Sequence, residues 1–189
     1  MKLRHLLALS LFVLVMACNK EDDDAIGAND FFIEFRKDNA LIRYTASEAN
    51  NEKFVLGSHN ILNSAGTLYA SSASGQLEAH EISKNMASLV VAHPQPIEVN
   101  RVYTADEQGV PGAIIPELFI LSYADETGTF HQSTSAHHIS GLPTNGRLQF
   151  TEINDKYMSG TFSGIYYNND DMSEHFTVTD GKFKVRRHQ

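Results

Sequence analysis

The chain has 189 residues, with 15 Lys and Arg against 23 Asp and Glu and a formal net charge of −8 at neutral pH. That acidic balance argues against nucleic acid as a partner and against a polybasic grip on anionic lipid, while leaving neutral glycans, cations and basic protein surfaces open. A single cysteine excludes a disulfide framework, so the fold rests on its own apolar core, for which 11 Phe and 7 Tyr supply bulk in the absence of Trp.

Residues 1–17 begin with Lys2 and Arg4, continue as an apolar run from Leu6 to Ala17 broken only by Ser10, and end on a small residue before Cys18. This is the pattern of a secretory signal peptide, too short to span a bilayer. Val15-Met16-Ala17-Cys18 resembles the cleavage box of bacterial lipoproteins. The resemblance implies that Cys18 becomes the mature N-terminus, carries a diacylglyceryl group and is acylated again on its amine, for instance with palmitate. Several acyl chains hold a protein stably where one, at about 0.8 kcal/mol per buried methylene, binds only reversibly. Cleavage would remove Lys2 and Arg4 from the 15 cations, leaving 13 against 23 acids and a net charge of −10. Lys20-Glu21-Asp22-Asp23-Asp24 is similar to the lysine-plus-acidic export tag of Bacteroidetes-type lipoproteins, which implies an outer-membrane lipoprotein facing the cell exterior; the alternative is a plain solvated tether on the periplasm-facing leaflet. Residues 18–29, charged and poor in apolar side chains, read as a lipidated acidic tether. At about 3.3–3.6 Å per extended residue it lets the domain stand at most some 40 Å from the membrane.

From residue 30 to residue 189 the texture is that of a single all-β domain: short apolar-rich segments split by Gly, Asn, Asp and Ser at intervals of about ten residues. Phe31 to Arg36 and Ala40 to Thr45 flank Lys37-Asp38-Asn39, a three-residue hairpin loop; Ser47 to Lys53 reads as loop, and Lys53 to Ser58 as a third strand before a turn cluster from Asn60 to Gly66. Thr67 to Ser72 and Gln76 to Ile82 are expected to form a hairpin through Ala73-Ser74-Gly75. Ser88 to Ala92 is uniformly apolar, hence central, and His93-Pro94-Gln95-Pro96 stops it because proline cannot donate to a ladder. Arg101 to Thr104 is a short strand followed by turn-rich residues 105–112. Glu117 to Tyr123 is the most apolar strand, expected to be covered on both faces, and Thr129 to Thr134 follows it. Ala136 to Gly141 reads as a loop or edge segment.

The last third is the best patterned. Along Tyr157 to Tyr167, Met158, Gly160, Phe162, Gly164 and Tyr166 share one face while Ser159, Thr161, Ser163 and Ile165 share the other; Arg147 to Ile153 precedes this strand. His175 to Thr179 and Lys182 to Val185 are expected to form a hairpin at Asp180-Gly181. Ser159-Gly160-Thr161-Phe162-Ser163, followed by Phe176-Thr177-Val178-Thr179-Asp180-Gly181-Lys182-Phe183, resembles the C-terminal signature of a group of small Bacteroidetes-type surface lipoproteins. The similarity covers about Leu142 to Val185, with Gly164 standing where an aromatic or aliphatic residue is frequent. It implies an all-β lipoprotein domain and carries no activity over.

Four groups of residues are candidates for chemistry. His131, His137 and His138, with His175 brought near by strand pairing, are candidate ligands for zinc or copper if imidazoles converge. Asn168-Asn169-Asp170-Asp171 with Glu174 offers hard oxygens of the kind calcium takes, set against the ordinary polar tip of a hairpin. Tyr157 and Tyr167 are candidates for a ligand-binding platform, since tyrosine combines a flat apolar ring with a polar tip. No nucleophile elbow, zinc-protease helix or phosphate loop occurs, so no catalytic residue, metal or cofactor is assigned. The expected architecture is ten to twelve antiparallel strands in a two-sheet β-sandwich, with a small closed β-barrel as the alternative. The expected function is a non-catalytic binding or accessory module for a glycan or protein partner, with a ligand-free structural envelope lipoprotein or a small hydrolase as alternatives.

Overall fold

A computed structural model describes residues 31–45, 55–76, 84–106 and 111–188. The signal segment, Cys18 and the tether, the loop expected at Ser47 to Lys53 and all but the first residue of the strand expected at Gln76 to Ile82 lie outside these. Eleven strands and one short helix form in the order β1 (Phe32–Lys37), β2 (Ala40–Thr45), β3 (Val55–Leu62), β4 (Tyr69–Gln76), β5 (Met86–His93), β6 (Val102–Thr104), β7 (Leu118–Ala124), β8 (Phe130–Thr134), α1 (Ser135–Ile139), β9 (Arg147–Ile153), β10 (Tyr157–Asn168) and β11 (His175–Arg187). The domain is all-β, as expected, and no described helix is long and apolar enough to cross a membrane.

All eleven strands belong to one hydrogen-bonded sheet, which the β10–β11 pairing folds back on itself into two facing layers. One layer runs β2-β1-β11-β10-β9-β6, the other β3-β4-β5-β7-β8. The two long strands change layers at their ends. β11 reaches β3 through Arg186↔Leu56 and Arg187↔Gly57, and β10 reaches β8 through Tyr167↔Gln132 and Asn168↔His131. These junctions link the layers into a ring of pairings, so the sandwich retains a trace of the barrel alternative. The antiparallel expectation is corrected at one place, because β11 and β3 run parallel and the sheet is therefore mixed.

The core lies between the layers and is largely aromatic. Phe35 of β1 meets Tyr123 of β7 across the gap, with ring centroids 5.7 Å apart, and Phe162 of β10 at 5.8 Å. Tyr123 in turn meets Phe176 of β11 at 5.7 Å, and Phe150 of β9 meets Phe183 of β11 at the same distance. Alternation along β10 is as the sequence requires: Met158, Gly160, Phe162, Gly164 and Tyr166 are buried. At the end of the sandwich the Lys37 ammonium caps the aromatic stack, 4.6 Å from the Phe176 ring centroid and 5.2 Å from that of Tyr123.

Several expected turns resolve differently. The first hairpin closes on two residues, Asp38 and Asn39, both at positive φ (46° and 76°), which matches the twist of the flanking strands better than a three-residue loop. Ala73-Ser74-Gly75 is no turn but part of the second half of β4, paired on both edges with β3 and β5. Small residues are needed there because a methyl group on Gly75 would lie 3.0 Å from Tyr44 Cβ in the facing layer. Asp180-Gly181 is likewise no hairpin. β11 runs straight through, and Asp180 (φ 52°) is an inserted bulge residue at which the register shifts against both β10 and β1. β3 continues past Ser58 to Leu62 by a bulge at Asn60, whose side chain accepts from Ile97 N (2.6 Å) and donates to Ile97 O (3.2 Å). Ala136 to Gly141, expected as loop or edge, lies largely in α1, where Thr134 Oγ1 caps the first turn by accepting from His137 N. β7 is covered on its inner face by burial of Phe119, Leu121 and Tyr123, but Leu118 on its outer face remains exposed.

Candidate binding face

The histidines do not converge on a metal. His131 and His137 are each 7 % exposed and are held by aromatic rings, His131 at 4.9 Å from Phe176 and His137 edge-on to Tyr167 at 5.3 Å. His138 is half-buried and His175 exposed, the latter 5.4 Å from the Tyr167 ring. Among the described residues, no group of three or more His, Cys, Asp or Glu is placed to hold a metal ion. The Nδ1 atoms of His131 and His137 have no hydrogen-bond partner, and each ring packs as one more member of the aromatic layer.

Burial lowers the pKa of both, and for His131 the Lys37 ammonium adds to the effect; His59 is lowered by burial and by Arg187. The folded protein thus takes up protons less readily than the unfolded chain, whose histidines titrate near about 6.5. Stability from this source is complete above that pH, is lost as the pH falls below it, and levels off beneath the folded-state values. Urea midpoints measured from about pH 7.5 down to about pH 5.5 should therefore decrease, and His131→Phe should flatten the profile; a flat profile in the parent protein contradicts the assignment.

The loop proposed for calcium is closed by its own bonds. Asn168 Nδ2 donates to Glu174 Oε2 (2.8 Å), and Asp171 Oδ1 accepts from both Ser173 N (2.9 Å) and Ser173 Oγ (2.6 Å). Those bonds hold the Asp171 carboxyl below the usual carboxylate range. Asp170 is tied through its amide to Asn168 Oδ1 (2.9 Å), the geometry of a polar hairpin tip.

Of the two tyrosines, Tyr167 is corrected as a platform. It is buried where residues 143–144 cross the outer side of β10, and it donates from its hydroxyl to Pro143 O (2.8 Å) while Ile165 N donates to Thr144 O (2.7 Å). Tyr157 remains half-buried on the open part of the same face. Its hydroxyl donates to Glu152 Oε1 (2.6 Å), and the Lys184 ammonium stands 4.5 Å from its ring centroid.

A hollow of about 210 Å³ beside α1 is lined by both Asp106 and His138. Asp106 Oδ2 already accepts from Thr144 Oγ1 and from Asn145 N, each at 3.2 Å, and no hydrogen bond joins His138 to it. The carboxylate anchors the 144–145 segment.

The most developed surface is the outer face of the six-stranded layer, which register alone assembles. One row crosses the whole layer: Val102, Gln149, Thr161, Lys182, Glu34 and Arg43 are successive partners from β6 to β2. Beside it, Ser163 pairs with Arg147. Short side chains in the middle and long ones at the sides leave a hollow of about 390 Å³ lined by Arg147, Gln149, Thr161, Ser163, Lys182 and the bulge at Asp180. Arg43 pairs with Glu34 at 3.1 Å and Arg36 with Asp180 at 3.7 Å, whereas Arg147 and Lys182 form no ion pair among the described residues. The five-stranded layer differs, since its outward positions, among them Ser72, Ser74, Ser88, Val90, Ile120 and Ser122, bear no charge on β4, β5 and β7. Alternation along β11 reads directly from the sequence and turns Lys182 and Lys184 outward, with Arg186 following on the same side; what the sequence does not show is that Arg147 of β9 joins them on that face. Comparison with protein-family models, curated proteins and solved structures finds no match to this chain.

Proposed function

We propose that this chain is a lipid-anchored lipoprotein of the outer membrane, facing the cell exterior, whose domain is a non-catalytic binding or accessory module for a glycan or protein partner. Its anchor is Cys18 and its export tag Lys20 to Asp24. The observation that carries the binding part is the division of labour in Ser159-Gly160-Thr161-Phe162-Ser163. Gly160 and Phe162 fill the core, while the hydroxyls of Ser159, Thr161 and Ser163 form a ladder on the open face, between β9 and β11. A row of hydroxyls flanked by amides and cations offers the donors and acceptors that sugar hydroxyls require. A protein partner has a second route at β2, an edge strand whose only described neighbour is β1 and on which Leu41 is 58 % exposed.

Protease shaving of intact cells tests the location. The domain should be cut while a periplasmic control survives, and replacing Lys20 to Asp24 with neutral residues should protect it. Protection of the parent protein refutes outward display. A glycan and surface-protein screen tests the binding part; with no saturable binder, the ligand-free envelope reading replaces it.

A further inference from the structure

Building on the binding-module reading, we propose that the hollow between Arg147 and Lys182 takes an acidic oligosaccharide, a chain whose rings carry carboxylate or sulfate groups. Its lining is mixed, as the two faces of a sugar ring require: Val102 and Phe162 add apolar surface, while the hydroxyls of Thr161 and Ser163 and the Gln149 amide, whose Nε2 donates to Asn100 O (3.1 Å) and leaves its carbonyl oxygen as an acceptor, add polar groups. Its sides add charge. Arg147, beside Ser163, and Lys182, beside Thr161, stand diagonally on opposite sides of β10, neither in an ion pair among the described residues; Glu34, next to Lys182 in the ladder, is paired with Arg43 at 3.1 Å, and the carboxylate at the rim, Asp180, lies against Arg36 at 3.7 Å. An anionic group entering the hollow therefore meets two cations whose charge is not already spent, and bonds to charged groups are stronger than bonds between neutral ones.

The same face extends the site in one direction. Lys182, Lys184 and Arg186 occupy alternate positions of β11, about 6.7 Å apart, and lead from the hollow to Tyr157, the partner of Arg186 in the ladder. A chain with a charge on every ring can follow this line and lie against the Tyr157 ring at its end. The concentration of cations here, in a chain of net charge −8, is a property of one face and not of the protein. Screening over about 8 Å at physiological ionic strength lets a slender ligand sense that face alone. An extended anionic bilayer or a nucleic acid would instead confront the acids of the whole domain. The volume, about 390 Å³, falls within the roughly 300–1,000 Å³ of small-ligand sites.

The test uses the full lipidated protein in neutral detergent micelles, titrated calorimetrically with hexameric oligogalacturonate, a heparin-derived hexasaccharide and a neutral galactan hexamer. At least one acidic oligomer should bind, with affinity falling steeply as salt is added, and the neutral one should bind far more weakly. Arg147→Gln/Lys182→Gln should weaken acidic binding at least about tenfold, whereas Lys84→Gln, just before β5 of the other layer, should leave it nearly unchanged; equal melting temperatures establish that all are folded. The inference is overturned if neither acidic oligomer binds, if the double variant binds as the parent does, or if inorganic sulfate binds as tightly per charge as the oligomer. A neutral glycan or protein partner that binds the double variant undiminished leaves the binding module standing and removes only this inference. Failure of every glycan and surface protein to bind removes both.

Discussion

Phe35→Ala is expected to lower the free energy of unfolding by about 3–5 kcal/mol, the upper end of what a single core truncation does. Phe35 is 1 % exposed and belongs to the six-stranded layer, yet it meets Tyr123 of the opposite layer edge-on, at 81° between the ring planes, and Phe162 of its own layer at 63°. Loss of the ring removes transfer energy, two edge-to-face contacts and the filler of the space between layers. Collapse into the vacancy is resisted because Phe162 sits on β10, which is held by both β9 and β11. The denaturant midpoint should fall with an unchanged slope, and at about 2–4 °C per kcal/mol for a domain of this size the melting temperature should drop on the order of 10 °C. Phe35→Leu, closer in volume, should cost much less. A loss below about 1 kcal/mol for alanine would mean that the layers are not wedged apart at this ring.

Gly160→Ala is the second large effect, and it arises from addition instead of removal. A methyl group at Gly160 would meet the carbonyl oxygen of Gln149 and lie 2.5 Å from Phe183 Cζ. The first neighbour is backbone of a paired strand and the second a buried ring against Phe150, so neither yields cheaply. A cost of about 1–3 kcal/mol is expected, and more for Gly160→Val. Phe183→Leu should recover part of it, seen as non-additivity in a double-mutant cycle. Gly164→Ala is the informative contrast. Its methyl would lie 3.1 Å from Gly146 Cα and from Ser133 Oγ, and a hydroxyl can rotate aside, so the cost should be smaller. If Gly160→Ala proved neutral, the close approach of β10 to Phe183 would be wrong.

Gly160, and Phe162 against which Phe35 packs, sit in the stretch whose pattern is plainest in the sequence. The alternation from Met158 to Tyr166 reads directly as one buried and one open face because side chains in a strand point to opposite sides in turn. Phe31 to Thr45, Arg147 to Ile153 and the apolar run ending at Pro94 were legible for the same reason: period and punctuation are local properties. Where the reading went wrong, a local signal was overruled by a neighbour. Asp180-Gly181 carries the dipeptide of a tight turn, but its readiness for positive φ is equally suited to a bulge, and the length of β10 and β1 beside it decided for the bulge. Ala73-Ser74-Gly75 has the small residues of a turn, but Gly75 is small because Tyr44 and Ile33 press on it from the facing layer.

The candidate site divides along the same line. By itself the sequence determined the residue types available, the acidic total, the single cysteine with its lipoprotein-like context and the two faces of the strongest strands, since each depends on composition or on neighbours close in the chain. Only the tertiary structure decided that His131 and His137 pack against buried aromatic rings, that Tyr167 lies under residues 143–144 while Tyr157 stays open, and that Arg147 and Lys182, 35 positions apart, flank one hollow. Most of those outcomes depend on register between strands far apart in sequence, and a slip of one residue in β9, β10 or β11 would turn that strand's side chains to the other face.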